Sequence, residues 1–356
     1  PLVRDPDAVL LPNDCPVRRT ESVPFVGGKV SRSWDTATRF RRLARGTRLA
    51  LSARVSLARP IFKGVTLMLT RRMRGRVFLL RPSKRTNQIV AYVVAVMQKK
   101  WNIHVHAITV LSNHWHICLT DPDGHVVEFQ RDCHTFIARA LNAAHGDFEN
   151  AWACEPTSRV ECEEPDDLIG KIAYTMANPV EAGLVRHGRS WPGLRRAWPS
   201  APMVVRRPRK FFRGRGEGGG WPDEAVLVME RPSGYDELGD AELAAKIADA
   251  VREREETFRK QYDAEGRSFL GRREVLGQSR HARPKSREPR FRISPKVACR
   301  NKWRRIERLR ANKTWQHDYA VSLVDWRAGK RDVVFPAGTY LMRVVHRVCC
   351  TKPRPP

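Results

Sequence analysis

The sequence has no run of about 18 apolar residues, so nothing in it reads as a membrane-spanning helix. It has no CxxC pair among its eight cysteines, Cys15, Cys118, Cys133, Cys154, Cys162, Cys299, Cys349 and Cys350, and their spacings fit no zinc template. Its start carries no basic stretch followed by an apolar one, so no secretory signal is expected, and the thiols read as reduced cysteines of a cytoplasmic protein. Acidic residues are in deficit: 38 Asp and Glu stand against 66 Lys and Arg, a formal net charge of +28. Such a surplus concentrates polyanions at the surface. Nucleic acid leads the candidates, because release of phosphate counterions drives its binding. An anionic membrane would call for basic residues along one apolar-faced helix; here they are interspersed with Pro and Gly.

What is present allows two domains, since 356 residues exceed the usual domain length of roughly 100–200. Residues 1–67 are Arg-rich and weakly periodic and are expected to form a basic, disordered arm. From Met68 to 203 the pattern predicts a small α+β domain. Val77–Leu80 is a short apolar run read as a strand, and Ile89, Val93, Val96 and Met97 recur at helical spacing. His104–Leu111 and His114–Leu119 read as a hairpin around Ser112-Asn113. After the turn at 121–124, Phe129, Cys133, Phe136, Ile137, Ala140 and Leu141 line one helix face. A strand near Ser158–Cys162 and a helix opened by Asp166-Asp167 and ended by Pro179 follow. The expected architecture is an antiparallel sheet with helices on one side. A basic, Gly-rich linker at 204–221 then precedes a basic, mostly helical region at 222–356.

Two segments carry chemistry. In Ser112-Asn113-His114-Trp115-His116, strand alternation puts His114 and His116 on one face and Trp115 on the other. Two neutral imidazoles one strand-step apart can share a divalent cation. The same pattern at His104-Val105-His106 is read as structural. In Tyr174-Thr175-Met176-Ala177-Asn178-Pro179, Asn178 lies one helical turn after Tyr174, and Lys171 precedes it on the same side. A nucleophile, an oxygen ligand and a cation thus share one helical patch. Each segment alone also fits ordinary structure: partly exposed histidines, or a buried Tyr with a helix-terminal Asn.

Together, SNHWH and YTMANPVEAGLV resemble the HUH-type tyrosine nucleases, in particular the IS200-like and REP-associated tyrosine transposases; FLLRPSK and FPAGTY add lesser likeness. The resemblance covers about residues 75–200 and implies a ferredoxin-like (RRM-like) sheet. It implies Mg²⁺ or Mn²⁺ held by His114, His116 and Asn178, and Tyr174 as nucleophile with Lys171 assisting. It also implies single-stranded DNA hairpins as partners, a 5′-phosphotyrosine intermediate and a homodimer. Trp115 departs from the smaller residue usual at the middle of the motif. Arg81, Lys84 and Arg85 are candidate DNA-phosphate contacts, and Trp303, Arg304, Arg305 and Trp315 a candidate extension of the footprint. Three readings compete: a non-catalytic nucleic-acid-binding protein, for which the aromatic strand signature of RNA-binding sheets is missing; a water-using metal hydrolase; and a domesticated transposase acting on palindromic repeats.

Overall fold

The computed structural model describes residues 58–208, 212, 220–286 and 296–352. The chain runs β1 (Val65–Arg72), α1 (Lys84–Lys100), β2 (His104–Val110), β3 (His114–Asp121), α2 (Val126–His145), β4 (Ser158–Cys162) and α3 (Pro165–Glu181). It continues through β5 (Arg195–Ala197), β6 (Met203–Arg206), β7 (Glu224–Leu227), α4 (Asp240–Ala264), α5 (Arg272–Gly277), β8 (Val297–Ala298), α6 (Lys302–Arg327) and α7 (Leu341–His346).

Local chemistry explains the boundaries. Ser83 caps α1 by accepting from Thr86 N at 3.0 Å, and Lys99 and Lys100 close it against the helix dipole. The Asp121 carboxylate accepts from the amides of Gly124, His125 and Val126, which turns β3 into α2. Gly146 ends α2 in the left-handed region. A capping box between Glu164 and Asp167 starts α3, with Pro165 in its first turn.

The main sheet has six strands in the order β5-β2-β3-β1-β4-β8. Neighbours are antiparallel except β4 and β8, which are parallel, so the sheet is mixed rather than antiparallel. The parallel partner comes from far along the chain as a two-residue strand, and no local pattern announces it. β3 is central: it pairs Leu67 with Leu119 and Thr70 with His116 on the β1 side, and Ile108 with Ile117 on the β2 side.

Helices cover both faces of the sheet, not one. α1 and α2 pack together on the face that receives Leu67, Leu69, Trp115 and Ile117, all buried. There Trp115 lies 5.8 Å from the His134 ring of α2 and 6.4 Å from Trp152. α3 crosses the opposite face. Cys118 Sγ meets Thr175 Oγ1 at 3.3 Å, Thr175 Oγ1 meets Met68 Sδ at 3.7 Å, and Thr109 Oγ1 donates to Met176 Sδ at 3.8 Å.

Val77–Leu80 is not a strand. After a 3-10 turn at Arg74–Arg76 it forms a loop that buries Phe78, Leu79 and Leu80, with its amides on Ala282 O and Ser112 O. A four-residue apolar run plugs a core as readily as it forms a strand. The strand is VTLMLTRR, starting at Val65, ahead of the boundary expected at Met68. Residues 1–57 of the expected arm, and 209–211 and 213–219 of the expected linker, lie outside the described residues. The expected linker does not begin at 204: Val204–Arg206 belong to β6, which pairs with β7 and packs on α1 with it, and α4 packs along α3. Residues from Ala58 on form one compact unit. No helix among the described residues is long and apolar enough to cross a membrane.

Two histidines inside this core have a measurable consequence. His106 is 1% exposed and bonded to Glu230 O and Thr120 Oγ1. Burial pushes it down to about 4, with the Glu230 bond opposing. His134 is pushed to about 3 by burial and then by Arg71. The unfolded chain protonates these rings below about 6.5, whereas the folded chain keeps them neutral until near 4 or lower. Their stability contribution is therefore complete above pH 6.5 and is lost as pH falls toward 4. Urea unfolding should show a loss of up to about 3 kcal/mol per ring between pH 7 and 4. His106→Gln should flatten that slope.

Candidate functional site

β3 and α3 build the site between them. Alternation aims His114 and His116 at α3, while Trp115 is sunk in the opposite core. On α3, Thr175 and Met176 are the residues pinned to the sheet. That rotation leaves Tyr174 and Asn178, one turn apart, facing the two imidazoles. The helix does not stop before Pro179 but runs to Glu181 with the proline inside its last turn. Ala182 N still reaches Asn178 O, and Leu184 N reaches Pro179 O, so the turn closes around the ring.

The rings of His114 and His116 lie edge to face, 4.8 Å between centroids and 89° between planes. His116 and Tyr174 repeat this at 5.2 Å and 82°. His114 Nδ1 donates to Asn113 Oδ1 at 2.7 Å, which leaves a lone pair on Nε2. His116 Nδ1 is bonded to Thr70 Oγ1 at 2.7 Å. Asn178 is buried and close enough to both His114 and Tyr174 to act on the proton affinity of each, raising the first and lowering the second. The sequence-predicted His114, His116, Tyr174 and Asn178 thus converge around one amide. The Lys171 ammonium lies 5.8 Å from the Tyr174 ring centroid.

Electrostatics keeps this cluster uncharged at rest. Burial pushes His114 down to about 4, aided by Arg72 and Arg76, against the pull of Asn178. Burial, His114 and Lys171 hold His116 well below the ordinary histidine value. The Tyr174 phenol is raised by burial and by Glu181, with Arg254 and Asn178 opposing. At neutral pH the site offers two neutral imidazoles and a protonated phenol.

A divalent cation fits this donor set. His116 Nε2 is buried and has no hydrogen-bond partner among the described residues, a costly state for a ring nitrogen unless something else takes its lone pair. The Asn178 amide oxygen supplies a harder donor beside the imidazoles. Another grouping of metal-type ligands, Glu164, Asp167 and Cys299, belongs to the cap of α3: Asp167 accepts from Arg300 N and Glu164 N, and Glu164 holds Arg304.

Thr70, Glu181 and Arg254 belong to the site and were missed by sequence reasoning. Thr70 is defined only by the register of β1 against β3. Arg254 reaches Tyr174 from α4, with its guanidinium carbon 5.0 Å from the ring centroid. No local signal marks either. The candidate DNA contacts lie elsewhere. Arg81 donates to the carbonyls of Leu276 and Gln278 at 2.9 and 2.8 Å, Arg85 donates to Ala144 O at 3.4 Å, and Lys84 is exposed at the start of α1. No contact joins these three to the His–Tyr cluster among the described residues.

The glycine after α3 explains how α4 comes so close. Gly183 has φ +67°, and a Cβ there would lie 2.5 Å from the Tyr262 hydroxyl of α4. Its carbonyl also accepts from Leu270 N. Gly183→Ala should destabilise the protein by about 1–3 kcal/mol in urea unfolding, through strain at positive φ and displacement of Tyr262.

No family model matches this chain, and no curated protein matches it. Among solved structures it is similar to a REP-associated tyrosine transposase bound to a REP hairpin: 23% identity over 39% of this chain and 81% of that one, TM-score 0.33. It is also similar to a candidate transposase from Deinococcus radiodurans R1: 14% identity over 26% of this chain and 70% of that one, TM-score 0.21.

Proposed function

We propose that this protein is a metal-dependent tyrosine nuclease that cuts and rejoins single-stranded DNA hairpins, in the manner of the IS200-like and REP-associated tyrosine transposases. The observation that carries the reading is the meeting of Tyr174 with His114 and His116 around Asn178, from segments remote in sequence. The motif resemblance of those same segments supports it, and the charge of +28 supports a polyanionic substrate. In this reading β1-α1-β2-β3-α2-β4, with strand order β2-β3-β1-β4, is a ferredoxin-like core. The nuclease domain starts with β1 at Val65, ahead of the expected 68, and includes β6 to Arg206; the region from 222 to 356 is an extension that supplies α4. The protein works in the cytoplasm at the nucleoid, as a homodimer in which two tyrosines exchange strands.

His114, His116 and Asn178 would hold Mg²⁺ or Mn²⁺, which when bound polarises the scissile phosphate and offsets charge on its oxygens. Thr70 and Asn113 fix the two imidazoles through their Nδ1 atoms, so that their orientation is set before substrate arrives. Asn178, one turn after Tyr174, stands near both its phenol and the His114 ring. The Tyr174 oxygen attacks phosphorus. A tyrosyl O–P bond forms, the P–O3′ bond breaks, and the departing O3′ takes up a proton as the phenol loses its own. The product is a 5′-phosphotyrosine and a free 3′-OH, which keeps the bond energy for religation. Lys171 places positive charge beside the phenol as it loses its proton.

The test is covalent capture of labelled single-stranded hairpin DNA on a denaturing gel, with Mn²⁺ or EDTA. Wild-type protein should give a shifted band with Mn²⁺. Tyr174→Phe, the double variant His114→Ala/His116→Ala, and EDTA should each reduce it by on the order of 10³-fold or more. Cleavage without a covalent band would replace the tyrosine mechanism with a water-using one. Binding without cleavage would make the protein a hairpin-binding protein.

A further inference from the structure

We propose that Arg254 of α4 is a positioning residue for Tyr174, so that the region after residue 222 completes the active site; this deepens the nuclease reading and rests on it. The guanidinium of Arg254 is packed between two rings, 5.0 Å from the Tyr174 centroid and 5.4 Å from that of Phe258. Its Nη2 donates to Glu181 Oε2 at 3.0 Å, and Glu181 is the last residue of α3. Its Nε is buried and has no hydrogen-bond partner among the described residues. A planar cation held this way stacks on an aromatic face and restricts that ring's rotation.

Two neighbouring interactions fix where Arg254 stands. Glu255, the next residue, is buried and accepts from Arg195 at 3.2 Å, while Arg195 Nε donates to Met176 O of α3 at 2.7 Å. Two turns further, Tyr262 closes on Gly183, and its hydroxyl donates to Glu181 O at 3.4 Å. α4 is thereby locked to α3 beside Arg254 and two turns beyond it, and the guanidinium is delivered to the face of the nucleophile ring. Glu181 holds its far end, so the Tyr174 ring is kept edge-on to His116. A misplaced nucleophile is costly because in-line attack tolerates little displacement.

The experiment uses the full chain carrying Arg254→Gln, Arg254→Lys or, as a control, Arg252→Gln, an exposed residue of the same helix that pairs with Asp249 of its own helix. Adduct formation is followed in single turnover across hairpin concentrations with Mn²⁺, alongside thermal unfolding and the ring signals of ¹³C-labelled tyrosine, with Tyr174 assigned through Tyr174→Phe. Arg254→Gln should lower the saturating rate by roughly 10- to 100-fold and leave the half-saturating DNA concentration within about twofold. Arg254→Lys should recover part of the rate, and Arg252→Gln should match wild type. The Tyr174 signals should move or broaden in Arg254→Gln. A wild-type rate in Arg254→Gln, or a rate loss matched by an equal loss of thermal stability in both Arg254 variants, overturns the proposal. If wild-type protein forms no adduct, the nuclease reading fails. The ring signals then decide the positioning claim: unchanged in Arg254→Gln, they overturn it; displaced there and restored in Arg254→Lys, they uphold it.

Discussion

The seating of α3 across the histidine face of the sheet is the constraint on which the site depends. Small and sulfur-bearing side chains do this work: Thr175 against Cys118 and Met68, and Met176 against Thr109. Because they let the helix approach closely, the residues flanking them in the helical repeat, Tyr174 and Asn178, are brought within reach of His114 and His116. A bulkier face would lift the helix and separate the phenol from the imidazoles. Trp115 serves the same end from below, filling the far side of β3 against His134 and Trp152 so that the strand carrying both histidines sits on a packed floor.

The second property of the site is its charge balance. Cations ring it, namely Arg72, Arg76, Lys171 and Arg254, yet the groups at its centre are neutral. Burial alone would depress the imidazoles; the surrounding positive charge depresses them further and keeps their lone pairs available. Under the proposed function the same positive field would favour a phosphate anion, and Arg254 opposes the burial that raises the phenol. Glu181 tempers this by pairing with Arg254, and with burial it keeps the phenol raised and protonated.

Much of this arrangement was legible in the sequence, for identifiable reasons. The β2–β3 hairpin, α2, β4 and the start of α3 follow from period-two and helical patterns bounded by strong turn and capping residues, and their observed limits lie close to those expected. The histidine pair and the Tyr–Asn pair were visible because each is a local spacing. What was not legible is non-local. VTLMLTRR became the strand in place of Val77–Leu80 because its partners on both sides lie elsewhere in the chain. The parallel pairing of β8, and the placement of α3 on the face opposite α1 and α2, are decided by tertiary packing. Thr70 and Arg254 enter the site only through strand register and the docking of α4, and Pro179 misled because its ring was accommodated inside a final turn rather than after it.

The measurement that bears most directly on the central claim is the identity of the residue that becomes attached to DNA. Protein and single-stranded hairpin would be incubated with Mn²⁺, digested with nuclease and trypsin, and mapped by mass spectrometry. The account predicts a 5′-phosphonucleotide on the peptide Ile172–Arg186, at Tyr174. Attachment at Tyr92, Tyr235, Tyr262, Tyr319 or Tyr340, or DNA cut with no peptide modified, would contradict it.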